Sequence, residues 1–151
     1  MQRAVLIADE SLWARGHPSG HPLRPERLRD TWQMLLAYEA FRAPGVGVLP
    51  PRLPTEAELA FFHTPAYIEV VRRLSQGETV PEAARYGFGP GDNPPFVGMF
   101  ESESRKVGAG LVGAEALLAG ESQMTFSFAG GLHHAGRELA SGFCVFGDCA
   151  G

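Results

Sequence analysis

The segment Arg3–Ala8 (RAVLIA) does most to limit the fold, because its apolar residues run on without alternation and then stop at Asp9-Glu10. A short uninterrupted apolar run predicts a strand buried on both faces, the situation of a parallel sheet covered by helices. The polar pair at its end puts chemistry at the strand's C-terminal rim, where open α/β sheets commonly bind ligands. Val46-Gly47-Val48-Leu49 predicts a second strand, closed by Pro50-Pro51, which cannot continue a ladder. Met124–Phe128 (MTFSF) predicts a third, and Gly142–Phe146 a short last one.

Helical signals lie between these runs. Ser11 to Pro25, rich in Gly, Pro and His, predicts a surface loop entering a helix with Pro25 in its first turn. That helix is expected over Pro25–Phe41, with Leu28, Trp32, Leu35 and Leu36 supplying the packed face. Thr55-Glu56-Ala57-Glu58 spells a capping box, in which the hydroxyl accepts from a first-turn amide and the glutamate reaches back. Phe61, Phe62 and His63 close that short helix, and Pro65 opens another whose Tyr67, Val70, Val71 and Leu74 recur at helical spacing. Residues 76–98, dense in Gly and Pro, predict a long ordered loop. Glu101–Gly120 is the longest helical pattern. Its Gly108-x-Gly110-x-x-Gly113 matches the letters of a dinucleotide fingerprint, but that fingerprint opens a helix directly after a strand. Small residues in mid-helix instead allow close approach to the sheet. Strands alternating with helices predict an α/β fold, a parallel sheet with flanking helices.

The 151 residues, 44% hydrophobic and 20% charged, suit a single globular domain spanning 1–151. A formal charge of −4 argues against a nucleic-acid partner, since phosphate binding needs clustered cations. The densest basic set, Arg24, Arg27 and Arg29, describes a largely solvated helix face. No apolar run reaches the roughly 18 residues of a membrane span. A cytoplasmic address is the expectation, without a membrane partner, and Cys144 and Cys149 read as reduced buried thiols.

The chemistry concentrates in Gly130-Gly131-Leu132-His133-His134-Ala135, followed by Ser141-Gly142-Phe143-Cys144. A glycine pair lets backbone approach a ligand closely, and histidine is the side chain whose ordinary pKa lies nearest neutrality. Adjacent side chains on an extended segment point to opposite sides, so one packed face does not account for both rings. Two imidazoles with different partners can divide base and acid work.

These residues resemble the active-site signature of the histone deacetylase superfamily, including its bacterial acetoin-utilisation and acetylpolyamine amidohydrolase members. Upstream, His21-Pro22-Leu23-Arg24-Pro25-Glu26-Arg27, Phe62-His63-Thr64-Pro65-Ala66-Tyr67-Ile68 and Gly87–Phe100 (GFGPGDNPPFVGMF) occur in the family's order. The Gly-Asp-Asn-Pro loop and Gly98-Met99-Phe100-Glu101 are most similar to the acetoin-utilisation branch. The resemblance implies an arginase/deacetylase fold and zinc-dependent hydrolysis of an acetyl-lysine-like amide in a protein or acetylated small amine. It implies that His133 accepts a proton from the attacking water and that His134 supports it and protonates the departing amine. Asp92 is implied to grip the substrate backbone at the rim, Gly142 to accept the substrate amide N–H, and Phe143 to wall the acyl tunnel. Arg27, Gly130 and Gly131 match positions lining an internal acetate channel.

The chain departs from the family pattern at Phe146-Gly147-Asp148, where the family reads Phe-Asn-Asp. The family's metal ligands, an Asp-x-His pair and a later Asp, follow that point, so no metal ligand is expected within this chain. It reads as the N-terminal part of a deacetylase domain, expected to bind no zinc and to be inactive by itself. It is also expected to expose a sheet edge able to pair with a second copy. Two alternatives stand beside this reading: a non-catalytic scaffold or binding module keeping the deacetylase fold, and an unrelated hydrolase whose histidine pair holds a different metal.

Overall fold

The computed structural model describes residues 2–150. Strands β1 (Ala4–Ile7), β2 (Val46–Leu49) and β3 (Thr125–Phe126) form a parallel sheet in the order β2-β1-β3. Ala4 pairs with Val46 and Val5 with Thr125, so the apolar run identified in the sequence is the central strand. Val5, Leu6, Ile7 and Ala8 are all buried, as a strand covered on both faces requires.

Helix α1 (Pro25–Ala37) carries proline in its first turn and brings Leu28, Trp32 and Leu35 into the core formed with the sheet. Trp32 lies 5.9 Å from Trp13 and 5.0 Å from Phe41, ring centre to ring centre. The helix ends at Ala37, short of the expected Phe41, because Glu39 takes a left-handed conformation (φ 53°) before a 3-10 turn over Ala40–Arg42. Leu36, expected on the packed face, is 45% exposed.

Helix α2 (Glu56–Ala60) opens with the predicted capping box: Glu58 N–H donates to Thr55 Oγ1 at 3.2 Å, and Thr55 N–H donates to the Glu58 carboxylate at 2.6 Å. Helix α3 (Pro65–Ser75) buries Tyr67, Val70, Val71 and Leu74, the spacing read from the sequence. With Phe88, Met99, Val145 and Phe146 they make a second core, away from the sheet. The 76–98 segment is irregular apart from one 3-10 turn, Ala83–Tyr86.

Helix α4 (Met99–Leu118) starts ahead of the expected Glu101, after Gly98 in a left-handed conformation (φ 82°). Ser75 Oγ accepts from Phe100 N–H at 2.9 Å and supplies one of the partners a helix start lacks. Its glycines serve packing: a Cβ on Gly108 would overlap the Arg52 carbonyl, and one on Gly113 would meet Thr125 Oγ1 at 3.0 Å.

Three expectations need correction. Gly142–Phe146 is not a strand: Gly142 and Phe143 have φ of 51° and 71°, and Ser141 and Cys144 exchange backbone hydrogen bonds across the resulting turn. The third strand is confined to Thr125–Phe126. Cys149 is exposed, while Cys144 is buried and its thiol pKa is raised by desolvation.

Candidate active site

The Gly130–Ala135 loop is held by a single carboxylate. Asp148 accepts from Gly131 N–H at 2.8 Å through one oxygen and from Leu132 N–H at 2.6 Å through the other. Charge-assisted bonds of this kind are about twice as strong as neutral ones. Gly130 is required for the approach, because a Cβ there would lie 2.5 Å from Asp148 Oδ2. The clip delivers His133 and His134 with ring centres 4.2 Å apart. Both rings are exposed. His133 Nδ1 lies 2.9 Å from the Gly131 carbonyl oxygen and donates to it, which leaves Nε2 as the free acceptor.

Behind the pair lies the 141–144 turn. Gly142 sits directly against the His134 ring, and the left-handed Phe143 turns its side chain toward His21, with ring centres 4.8 Å apart and planes at 81°. His21 Nε2–H donates to the Asp92 carbonyl oxygen at 2.9 Å. The structure therefore joins Asp92, His21 and Phe143 in one continuous contact, and His134 with Gly142 in another.

Arg27 and Gly130 line a common cavity of about 210 Å³ with Leu23, Arg24, Leu132 and Lys106. Gly131 falls outside its lining and borders a neighbouring depression with Gly130 and Asp148. Lys106 enters the first cavity from α4 while its ammonium bonds both oxygens of the fully buried Glu103 at 2.8 Å. A buried ion pair on the longest helix was not foreseen; nothing in the apolar spacing of that segment signals it.

Two further histidines have structural roles that composition concealed. His63, 2% exposed, donates from Nδ1 to the Arg137 carbonyl oxygen at 3.2 Å and accepts Gly147 N–H on Nε2 at 3.0 Å. It thereby ties the end of α2 to the backbone on both sides of the 141–144 turn, and desolvation lowers its pKa. His17 is buried with neither ring nitrogen hydrogen-bonded, stacked on His21 at 3.9 Å and edge-on to Phe96. Burial pushes its pKa down to about 4.

The three-stranded parallel sheet with its flanking helices is consistent with part of a deacetylase-type α/β fold. The sequence model of the histone deacetylase domain matches residues 21–150, and the chain belongs to that family. It is 34% identical over 151 residues to the acetoin utilization protein AcuC of Bacillus subtilis, covering 99% of this chain and 38% of that protein. The AcuC of Staphylococcus aureus is 32% identical over 148 residues, with 97% and 37% covered. Histone deacetylase RPD3 of Saccharomyces cerevisiae is 29% identical over 150 residues, with 97% and 34% covered. The chain thus spans less than two-fifths of the length of these relatives.

Zinc, which the resemblance implies, does not fit the side chains present. Among the described residues no group of three or more His, Cys, Asp or Glu side chains converges on a point. Asp148, the carboxylate at the histidine loop, is already engaged by two backbone amides.

Proposed function

We propose that the protein to which this chain belongs is a deacetylase of the acetoin-utilisation type, hydrolysing the amide of an acetylated lysine or small acetylated amine. The observation that carries the reading is the pair of imidazoles 4.2 Å apart, on a glycine loop clipped by Asp148. In this role His133, with Nδ1 committed to the Gly131 carbonyl, takes up a proton at Nε2. His134, seated against Gly142, supports it and returns a proton to the departing amine. Phe143 offers an aromatic face to an extended methylene chain, Gly142 its carbonyl to the substrate amide, and Asp92 its carboxylate to the substrate backbone. Arg27 and Gly130, which share a cavity, serve an acetate-sized product, while Gly131 borders the neighbouring depression.

The metal ligands belong, on this reading, to the part of the relatives' length that the chain does not span. The 151-residue chain by itself is accordingly expected to hold no stoichiometric zinc and to be inactive. Its free cysteines fit a reducing compartment such as the cytoplasm. No helix among the described residues is long and apolar enough to cross a membrane. The open β3 edge, with Met124 63% and Phe126 63% exposed, is a surface through which isolated copies of this chain would self-associate.

Turnover of an acetyl-lysine reporter by the protein carrying the family's full domain tests the reading, and His133→Ala is expected to abolish it. Absence of turnover on acetyl-lysine and acetylpolyamine substrates alike would sink it. Stoichiometric zinc with metal-dependent turnover by the 151-residue chain alone would overturn the assignment of the ligands elsewhere.

A further inference from the structure

We propose that His21 is a positioning residue that sets the mouth of the acyl tunnel. The inference rests on the deacetylase reading above and names a residue to which that reading gives no task.

His21 is 8% exposed and uses every side of its ring. Nε2–H donates to the carbonyl oxygen of Asp92 at 2.9 Å, across a sequence separation of 71 residues. Nδ1 accepts from Leu23 N–H at 3.1 Å, and Leu23 is a wall of the cavity that Arg27 and Gly130 line. Backbone chemistry fixes these roles: an amide N–H only donates and a carbonyl only accepts, so the ring is the Nε2–H tautomer. One ring edge meets Phe143, and one face is covered by His17 at 3.9 Å. One side chain therefore spaces the rim loop, the tunnel wall and the cavity wall. Asp92 is exposed, and Gly89 N–H closes its loop onto the Asn93 carbonyl oxygen at 3.2 Å. His21 is the side chain that reaches into this loop from the 17–25 segment.

The two arms can be cut separately. In His21→Asn the short side-chain oxygen still accepts from the amide two residues on, as asparagine does in turns, while the reach to Asp92 is lost. In His21→Gln the longer amide still donates toward Asp92 and the local turn is lost. If the tether matters, His21→Asn raises KM for an acetyl-lysine peptide by about tenfold, the worth of one hydrogen bond of about 1.4 kcal/mol, and leaves kcat within about twofold. It also speeds hydrogen exchange at the Gly89 amide. His21→Gln restores both readings toward wild type.

A purely structural role predicts something else: both variants lower stability alike, with no separation of KM from kcat, and that result overturns the assignment. The exchange measurement is independent of activity. Should wild-type protein turn over no acetylated substrate, the deacetylase reading fails, while unchanged Gly89 exchange in His21→Asn separately overturns the tether.

Discussion

Gly142 lies so near the ring of His134 that a Cβ built on it would stand 2.7 Å from the ring's Cγ. Its φ of 51° is, in addition, a left-handed conformation that side chains disfavour. Gly142→Ala must therefore move the imidazole or the turn. We expect a loss of about 1–3 kcal/mol in thermal unfolding and, in the active protein, a fall in turnover of about 100-fold from a displacement near 1 Å. Turnover close to wild type would show that His134 does not need this seat.

Asp148→Asn replaces a carboxylate that accepts twice with an amide that accepts once and turns its NH2 toward a backbone N–H. The expected cost is about 1–3 kcal/mol. Faster hydrogen exchange at the amides of Gly131 and Leu132 should accompany it, since those are the bonds removed.

His17 makes stability depend on pH. Its pKa is about 4 when folded against 6.5 in the unfolded chain, so between these values the unfolded chain binds a proton that the folded one excludes. Stability is then full above pH 6.5 and falls as the pH drops toward 4, by about 3 kcal/mol from this group. His63, lowered for the same reason, adds a contribution of the same sign. Denaturant unfolding across this range should show the slope, and His17→Phe should flatten it.

Lys106→Met strands Glu103 as a charge with no exposure at all. A loss of about 3–5 kcal/mol is expected for breaking such a pair from one side. Removing both charges, in Glu103→Leu with Lys106→Met, should cost clearly less. Urea unfolding of the two single variants and the double one tests this.

What the sequence made legible was local. β1 followed from an apolar run, the α2 start from Thr55 and Glu58, and the α3 start from Pro65, each fixed by neighbours within a few residues. The false strand at Gly142–Phe146 shows the opposite case. Its composition favours extended backbone, yet Phe143 is held at φ 71° with its ring against His21, more than a hundred positions earlier. The burial of His17 and the pairing of Glu103 with Lys106 were illegible for a similar reason, since polar letters in a loop and a helix reveal burial only once the chain has closed. Within the site, the histidine pair and its glycines were readable as a motif, whereas the part played by Asp148 was not: aspartate after glycine ordinarily signals a turn.

The carboxylate that holds Gly131 and Leu132 is placed 17 and 16 residues further along the polypeptide. A ribosome therefore delivers both imidazoles well before it delivers their clamp. Until Asp148 emerges, the amides of Gly131 and Leu132 lack their carboxylate partner, so this clamp is among the last contacts the loop acquires during synthesis. A nascent chain halted between Ala135 and Gly147 would contain every letter of the histidine motif without the carboxylate that pins its loop.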